Sequence, residues 1–251
     1  MGARLQDRTA LVTGSTTGIG VAIAHALADE GARVVVSGRD ESRGKQVVKS
    51  IVGAGGRAGF VGADLAGGGP AVRDLADAAT AVLGGRIDIL VNNAALLIDP
   101  ADTADVEEAL IDRALAVNVK AAFLLTGLVA PAMAARGSGA IVNVGSINGL
   151  IGMARSALYS TTKAAIHSLT KSWAAEFGPA GVRVNTVAPG PTLTERNEAI
   201  GDVLAPLLAA VPSRRASTPA EVAAAVVFLA GDDAANIHGA TLSVDGGWAA
   251  V

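Results

Sequence analysis

The sequence predicts an α/β fold, a doubly wound parallel sheet of about seven strands with helices on both faces. Three observations predict it. Short β-branched runs alternate with alanine-rich stretches of helical length along the whole chain, which is typical of βαβ units. The predicted strands are nearly all apolar, as expected when both faces of a sheet are buried. No linker, repeat or low-complexity tract interrupts the pattern, so we expect a single domain over residues 1–251.

The elements alternate regularly from one end of the chain to the other. Strands are predicted at residues 9–13, 33–37, 58–62, 87–91, 140–144, 183–187 and 241–244. Helices are predicted at residues 19–30, 41–53, 71–83, 112–136, 157–177 and 219–230. Sheets of this kind bind ligands at the carboxyl ends of their strands, so the residues just after each strand are the candidate site.

Composition bounds the function classes. The 251 residues are 51% hydrophobic and 17% charged, with a net charge of −3, which predicts a sizeable core and disfavours nucleic acid or an anionic membrane as partner. The absence of cysteine excludes disulfides and thiol catalysis. The apolar stretch 115–135 is interrupted by Asn118, Lys120 and Pro131, which favours a packed helix over a membrane span. With no apolar signal region at the N-terminus, we expect a cytoplasmic protein.

A glycine-rich turn follows the first strand and opens the first helix. Glycines let a backbone turn sharply and approach a pyrophosphate, which then meets the free N–H groups of the helix N-terminus. A tight structural turn is the alternative, but the strand before and the helix after are the context that favours dinucleotide binding. The predicted contacts are Gly14, Ser15, Thr16, Thr17, Gly18, Ile19 and Gly20.

The end of the second strand predicts the coenzyme. An acidic residue there holds the 2′-hydroxyl of NAD, whereas this chain has Gly38, Arg39 and Asp40. Arg39 can fork onto a 2′-phosphate, so NADP(H) is favoured. NAD(H) stays possible, with Asp40 in the acidic role and Arg39 in solvent.

Two further strand ends supply candidate contacts to the adenosine half of the coenzyme. Asp64 and Leu65 follow the third strand, where Asp64 either accepts from the adenine amino group or caps a loop. Asn92 and Ala94 follow the fourth strand, where small residues let the backbone lie against the cofactor ribose.

Tyr159, the only tyrosine, stands four residues before Lys163. On a helix this spacing puts both side chains on one face. A phenol titrates near pH ~10, but an ammonium group ~4.5 Å away at an effective dielectric of ~20 favours the phenolate by about 3.7 kcal/mol. Alone, such a pair is more often an ordinary feature of a surface helix; the rest of the chain makes it a candidate acid–base centre.

Ser146 closes the fifth strand thirteen residues before Tyr159, and Asn118 lies in the long middle helix. With the glycine turn and the Asn92-Asn93-Ala94 segment, these residues make the whole chain resemble the short-chain dehydrogenase/reductase family, whose fold is the Rossmann fold. Within that family the pattern is most similar to 3-oxoacyl-carrier-protein reductases. Ala95 stands where the family often has glycine, and the glycine turn lacks the basic residue frequent in NADP-preferring members.

The resemblance implies a hydride-transferring oxidoreductase with the tetrad Asn118, Ser146, Tyr159 and Lys163. Tyr159 would exchange a proton with the substrate oxygen, which Ser146 would hold and polarise. Lys163 would lower the pKa of Tyr159 and bind the nicotinamide ribose, and Asn118 would keep a water in a proton relay behind the lysine. No metal is implied, and the three histidines have no metal-like spacing.

The resemblance also places the segments that surround the reaction. It implies further coenzyme contacts from Pro189, Gly190, Thr192 and Thr194, besides Tyr159 and Lys163 themselves. Residues 191–217 would form a loop over the substrate. The expected substrate contacts are Leu96, Ser146, Asn148, Met153 and Tyr159.

The partner is expected to be a small carbonyl or secondary alcohol. Apolar faces on helices 112–136 and 157–177 point to a homotetramer, which the family commonly forms. Two alternatives stay open. One is an NAD-dependent dehydrogenase that oxidises a sugar or cyclic alcohol. The other is a dinucleotide-binding scaffold or sensor without turnover, although such proteins typically lose the tyrosine or the lysine.

Overall fold

The computed structural model describes residues 3–195, 208–209 and 211–251. Its centre is a seven-stranded sheet in the order β3-β2-β1-β4-β5-β6-β7, in which all neighbouring strands are parallel. The strands are β1 (Thr9–Val12), β2 (Arg33–Gly38), β3 (Arg57–Gly62), β4 (Ile89–Asn92), β5 (Gly139–Val144), β6 (Val182–Pro189) and β7 (Thr241–Val244). The predicted doubly wound α/β fold is therefore confirmed.

Helices cover both faces of this sheet. They are α1 (Gly18–Asp29), α2 (Glu41–Gly53), α3 (Gly68–Val82), α4 (Glu108–Leu115), α5 (Ala121–Ala135), α6 (Ala157–Phe177) and α7 (Pro219–Ala230). One core lies under α1, α2 and α7, where Ile23, Ile51 and Val226 meet the sheet. The other lies under α3, α5 and α6 and includes Leu75 and Trp173. The sheet is thus buried on both faces, which explains its apolar strands.

The strand order reverses between β1 and β4. At such a switch point the loops after two neighbouring strands turn to opposite faces and leave a crevice at the carboxyl edge. The turn after β1 and the segment after β4 border this crevice directly. The fold therefore places its ligand site where the glycine turn lies.

The middle helix differs from its prediction. One helix was expected over 112–136, but helix begins at Glu108 and a π-helical turn, Ala116–Lys120, separates α4 from α5. The continuous span Glu108–Ala135 is long and apolar enough to cross a membrane by length and composition. In the structure, Leu125, Val129 and Met133 on α5 pack into the core beneath the sheet, as expected for a packed helix.

Candidate active site

The glycine turn after β1 has the backbone geometry that was predicted for it. Gly14 and Gly18 adopt left-handed conformations, with φ of +63° and +54°, which side-chain-bearing residues rarely tolerate. At Gly20 a Cβ would overlap the carbonyl oxygen of Gly14. The α1 N-terminus has no side-chain cap and no acidic residue in its first turn. Its N–H groups are therefore available to a phosphate, and the turn fits a dinucleotide pyrophosphate.

A cleft of about 390 Å³ runs from this turn along the carboxyl edge of the sheet. Gly18 faces Thr194 in this cleft, since a Cβ at Gly18 would lie 3.6 Å from the Thr194 methyl group. Most of the predicted site residues line this single cleft. They are Gly14, Thr16, Thr17, Gly18, Ile19, Gly20, Arg39, Asp64, Leu65, Ala94, Leu96, Ser146, Tyr159, Lys163, Pro189, Gly190, Thr192 and Thr194.

Two predicted coenzyme contacts point away from the cleft. Ser15 is fully buried; its hydroxyl donates to the Val12 carbonyl and accepts from the Ser37 N–H, so it links β1 to β2. The Asn92 amide donates to Thr126 and Asn143 inside the core. Both expectations are corrected because sequence position cannot distinguish a residue beside a cleft from one turned under it.

Asn93, the residue after Asn92, lines the cleft instead. Its amide donates to the carbonyl oxygens of Thr13 and Gly14, at 2.9 Å each. Asn93 therefore ties the segment after β4 to the glycine turn.

Two predicted substrate contacts, Asn148 and Met153, lie outside the lining of this cleft. The Asn148 amide donates to the Ser156 hydroxyl at 3.0 Å and approaches the Met153 sulfur at 3.6 Å. Their contacts therefore shape the loop between β5 and α6. The middle of the predicted substrate loop, residues 196–207 and 210, lies outside the described residues.

The cleft has lining residues that the sequence did not reveal. Arg113 and Val117 reach it from α4 and the π-turn, about one helical turn apart. Spacing of this kind is common on any surface helix. No signal in the sequence singles these two residues out, because only the tertiary packing brings this helix to the cleft.

Just after β2, Arg39 and Asp40 have different surroundings. Asp40 is the N-cap of α2: its carboxylate accepts from the Arg43 N–H at 3.0 Å and lies 3.5 Å from the Arg43 guanidinium. The Arg39 side chain is exposed, lines the cleft and has no ion-pair partner among the residues that the structure describes. Gly38 contacts the Thr16 side chain, which a Cβ would crowd at 2.8 Å.

Asp64 caps a loop and also lines the cleft. Its carboxylate accepts from the Ala66 N–H at 3.1 Å and so caps the short turn after β3. The residue also lines the cleft. An oxygen that already accepts one bond retains a further lone pair, so capping leaves Asp64 able to accept from a ligand.

Ser146 and Tyr159 meet at the reacting end of the cleft. Tyr159 lies in the first turn of α6, and its hydroxyl and the Ser146 hydroxyl are hydrogen-bond partners. Burial raises the pKa of Tyr159 to about 12, and the bond to Ser146 opposes part of that rise. The net lowering of the Tyr159 pKa that was expected from Lys163 is not found in the protein alone, because burial is the largest cause of the shift and raises the pKa. At neutral pH Tyr159 holds its proton.

Lys163 lies behind Tyr159 on the same face of α6. Its ammonium group is 5.6 Å from the centre of the Tyr159 ring and donates to the Val144 carbonyl at 2.8 Å. The side chain is 4% exposed, and burial lowers the pKa of Lys163 to about 8. A buried ammonium with one protein acceptor retains donors for other oxygens, which suits a lysine that holds ribose hydroxyls.

Asn118 lies in the π-turn, and both atoms of its side-chain amide group form hydrogen bonds to protein groups. Its Oδ1 accepts from the Leu96 N–H at 2.6 Å, and its Nδ2 donates to the Leu96 carbonyl at 3.0 Å and to Thr162 at 3.2 Å. The side chain is 3% exposed. Asn118 therefore fastens the segment after β4 to the helix that carries Tyr159 and Lys163.

Comparison with known proteins gives the same assignment as this geometry. Residues 14–249 match the sequence model described as enoyl-(acyl carrier protein) reductase. A solved structure described as a short-chain dehydrogenase/reductase family protein is 44% identical with a TM-score of 0.90, over 99% of this chain and 100% of that one. The chain belongs to the short-chain dehydrogenase/reductase family. It is an oxidoreductase that acts on alcohol or carbonyl groups.

Two other members of the family bear on coenzyme and substrate. The cis-4-hydroxycyclohexanecarboxylate dehydrogenase of Sinomonas cyclohexanicum is 40% identical over the full length of both chains. A 3-oxoacyl (acyl-carrier-protein) reductase structure from Agrobacterium tumefaciens C58, with NADP bound, is 35% identical with a TM-score of 0.90, over 96% of this chain and 94% of that one. The predicted likeness to 3-oxoacyl-carrier-protein reductases is thus confirmed.

Proposed function

We propose that this protein transfers hydride between NADP(H) and a small carbonyl or secondary alcohol, with Tyr159 as its general acid and base. The observation that carries the proposal is the convergence of Ser146, Tyr159 and Lys163 at one end of the cleft that the glycine turn opens at the other. When bound, the nicotinamide coenzyme supplies the hydride for reduction or accepts it in oxidation.

The side chains at the reacting end move and hold the proton. The Ser146 hydroxyl donates to the substrate carbonyl oxygen and holds it at Tyr159. The Tyr159 hydroxyl gives its proton to that oxygen in reduction and takes the alcohol proton back in oxidation. The positive charge of Lys163, 5.6 Å from the ring, stabilises the phenolate that forms in between.

The preference for NADP(H) rests on the roles of Arg39 and Asp40. Asp40 uses its carboxylate to cap α2 and to pair with Arg43, and these contacts compete with a ribose diol. Arg39 projects into the cleft from the end of β2, where the adenosine ribose of a bound dinucleotide is expected. A guanidinium at this place offers two parallel donors to a 2′-phosphate.

Fluorescence titration with NADPH and with NADH tests this preference. For Arg39→Ala we expect NADPH affinity to fall about 10- to 100-fold, the worth of a charged hydrogen-bonded pair, while NADH affinity changes by less than about twofold. Arg73→Ala, which removes another exposed arginine from α3, is the matched control. Equal losses for the two coenzymes would refute the phosphate role, and tighter NADH binding to the wild type would assign the ribose to Asp40.

A cyclic or otherwise compact secondary alcohol, with its ketone, is the substrate class we propose. Two observations support it: the name of the Sinomonas relative, and the apolar character of Leu96 and Leu97 on the wall of the cleft. Coenzyme absorbance during incubation with a panel of cyclic alcohols, sugar alcohols and short β-ketoacyl thioesters tests it. Turnover confined to the thioesters would contradict the proposal. Coenzyme binding with no turnover of any compound would favour a sensor.

We further propose a homotetramer. Phe123 on α5 is 52% exposed although its ring contacts Trp173 of α6, and Ile111 and Leu115 on the preceding helix α4 are exposed as well. Leu242 is exposed on β7, the outer strand of the sheet. Apolar side chains on two separate faces support two kinds of subunit contact, which is what a tetramer with dihedral symmetry needs.

A further inference from the structure

His167 is a buried histidine next to the active centre for which the mechanism above has no use. It lies on α6, four residues after Lys163 and eight after Tyr159, so the three side chains share one face of the helix. Only 5% of His167 is exposed. Burying a polar side chain costs free energy unless its polar atoms form hydrogen bonds, so the contacts of this imidazole need to be accounted for.

The imidazole meets the main chain that carries Ser146. The Ser146 N–H donates to His167 Nε2 at 3.4 Å. A Cβ at Gly145 would overlap the same ring nitrogen and lie 2.7 Å from the Thr186 methyl group. The imidazole edge is therefore packed directly on the Gly145–Ser146 peptide, and only glycine permits that approach.

These contacts define the protonation state of the ring. A nitrogen that accepts from an N–H carries no proton, so the neutral His167 has its proton on Nδ1. Nδ1 is the one buried side-chain nitrogen or oxygen without a hydrogen-bond partner among the described residues. Burial, followed by the charges of Lys163 and Lys171, lowers the pKa of His167 to about 4. The Gly145 and Thr186 neighbours carry no charge, so the ring stays neutral near pH 7.

We propose that His167 is a positioning residue whose neutral imidazole accepts the Ser146 N–H and thereby keeps the Ser146 hydroxyl at Tyr159. Ser146 is otherwise held by the turn that follows it, where Asn148 N–H donates to its hydroxyl at 3.2 Å and Gly149 N–H to its carbonyl. His167 adds the only contact to the Ser146 N–H among the described residues. The inference deepens the proposed function and rests on it, because it concerns the same site.

The tautomer can be measured directly on the wild-type protein. Histidine ring ¹H–¹⁵N correlation NMR at pH 7 should show one of the three histidines with its proton on Nδ1 and a bare Nε2, and that signal should be missing from His167→Gln. A proton on Nε2, or a doubly protonated ring, would overturn the proposal. This measurement needs no turnover, so it remains decisive even if the proposed enzymatic function is wrong.

Two substitutions then separate positioning from simple structural support. The amide oxygen of His167→Gln can replace Nε2 as an acceptor, whereas His167→Leu fills similar space without one. We expect the leucine variant to lose about 10- to 100-fold in kcat, as for a misplaced catalytic group, and the glutamine variant to recover most of it. Affinity for NADPH should change by less than about twofold in both, because His167 does not line the cleft. His238→Leu, at an exposed histidine, is the matched control.

The outcomes separate the two hypotheses. A wild type that turns over substrate while His167→Leu keeps its kcat would overturn the role of His167 and leave the enzymatic function intact. Equal losses of kcat in the leucine and glutamine variants would also overturn it, since the acceptor would then be irrelevant. A wild type without any turnover contradicts the proposed function, and the tautomer measurement then decides the hydrogen bond alone.

Discussion

Replacing Asn118 with alanine would remove three hydrogen bonds at once, two to the Leu96 main chain and one to Thr162. A net worth of about 1 kcal/mol for each bond predicts that the free energy of unfolding falls by about 2–4 kcal/mol. Leu96 is half-buried, so water can partly replace Asn118 there, which favours the lower part of this range. The segment after β4 would then be held less firmly against the cleft.

Urea unfolding followed by tryptophan fluorescence measures this loss, because Trp173 is buried in the core. Wild type and variant are compared at one protein concentration, since subunit association would contribute to apparent stability. Asn236→Ala, at an exposed asparagine, is the matched control and should change stability by less than about 0.5 kcal/mol. An Asn118→Ala variant whose free energy of unfolding stays within about 0.5 kcal/mol of the wild type, but whose kcat is impaired, would contradict this structural role of Asn118. That result would favour the proton relay.

Two further predictions concern the buried lysine and the exposed apolar faces. Burial lowers the pKa of Lys163 to about 8. The unfolded chain therefore binds more protons between pH 8 and about 10.5, and the wild type gains stability as pH rises through that window. Lys163→Met should be inactive but about 1–3 kcal/mol more stable at pH 7, an advantage that shrinks towards pH 10.5 in urea unfolding; lower stability at pH 7 would contradict this. Phe123→Glu should lower the oligomer mass in analytical ultracentrifugation, whereas Val52→Glu, at a similarly exposed position on α2, should not. A monomeric wild type would refute the tetramer.

The bounds of helices and strands were predicted accurately where the hydrophobic periodicity and the residues at the element ends indicate the same limits. The bounds of α2, α6, α7 and β7 match the predicted ranges. In α7, Thr218 and Glu221 form a capping box that fixes the helix start. The π-turn was missed because it adds one residue to a helix without any change of composition. A hydrophobic pattern has no residue type that marks such an insertion.

Site residues could be predicted where their role follows from their position along the chain. They could be predicted less well where their role depends on the direction in which the side chain points. Gly14, Gly18, Tyr159 and Lys163 were predicted from their spacing, from the strands and helices around them and from the family resemblance. Ser15 lies between two cleft residues, yet its hydroxyl turns inward to join two strands. The pKa of Tyr159 was also misjudged. The distance between the Lys163 charge and the phenol can be estimated from helix geometry, whereas the burial of the phenol, which raises its pKa, is known only from the packed structure.

The π-turn between α4 and α5 has a consequence for how this helix tolerates insertions and deletions. Each residue of an α-helix advances the direction of its side chain by about 100°. A one-residue deletion in α4 could be absorbed by converting the wide turn Ala116–Lys120 into regular helix, at little cost to the hydrogen-bonded backbone. The same change would turn Asn118 away from Leu96. Natural length variation in this helix should therefore be rare, even though its outer surface is exposed and its backbone could accommodate the loss.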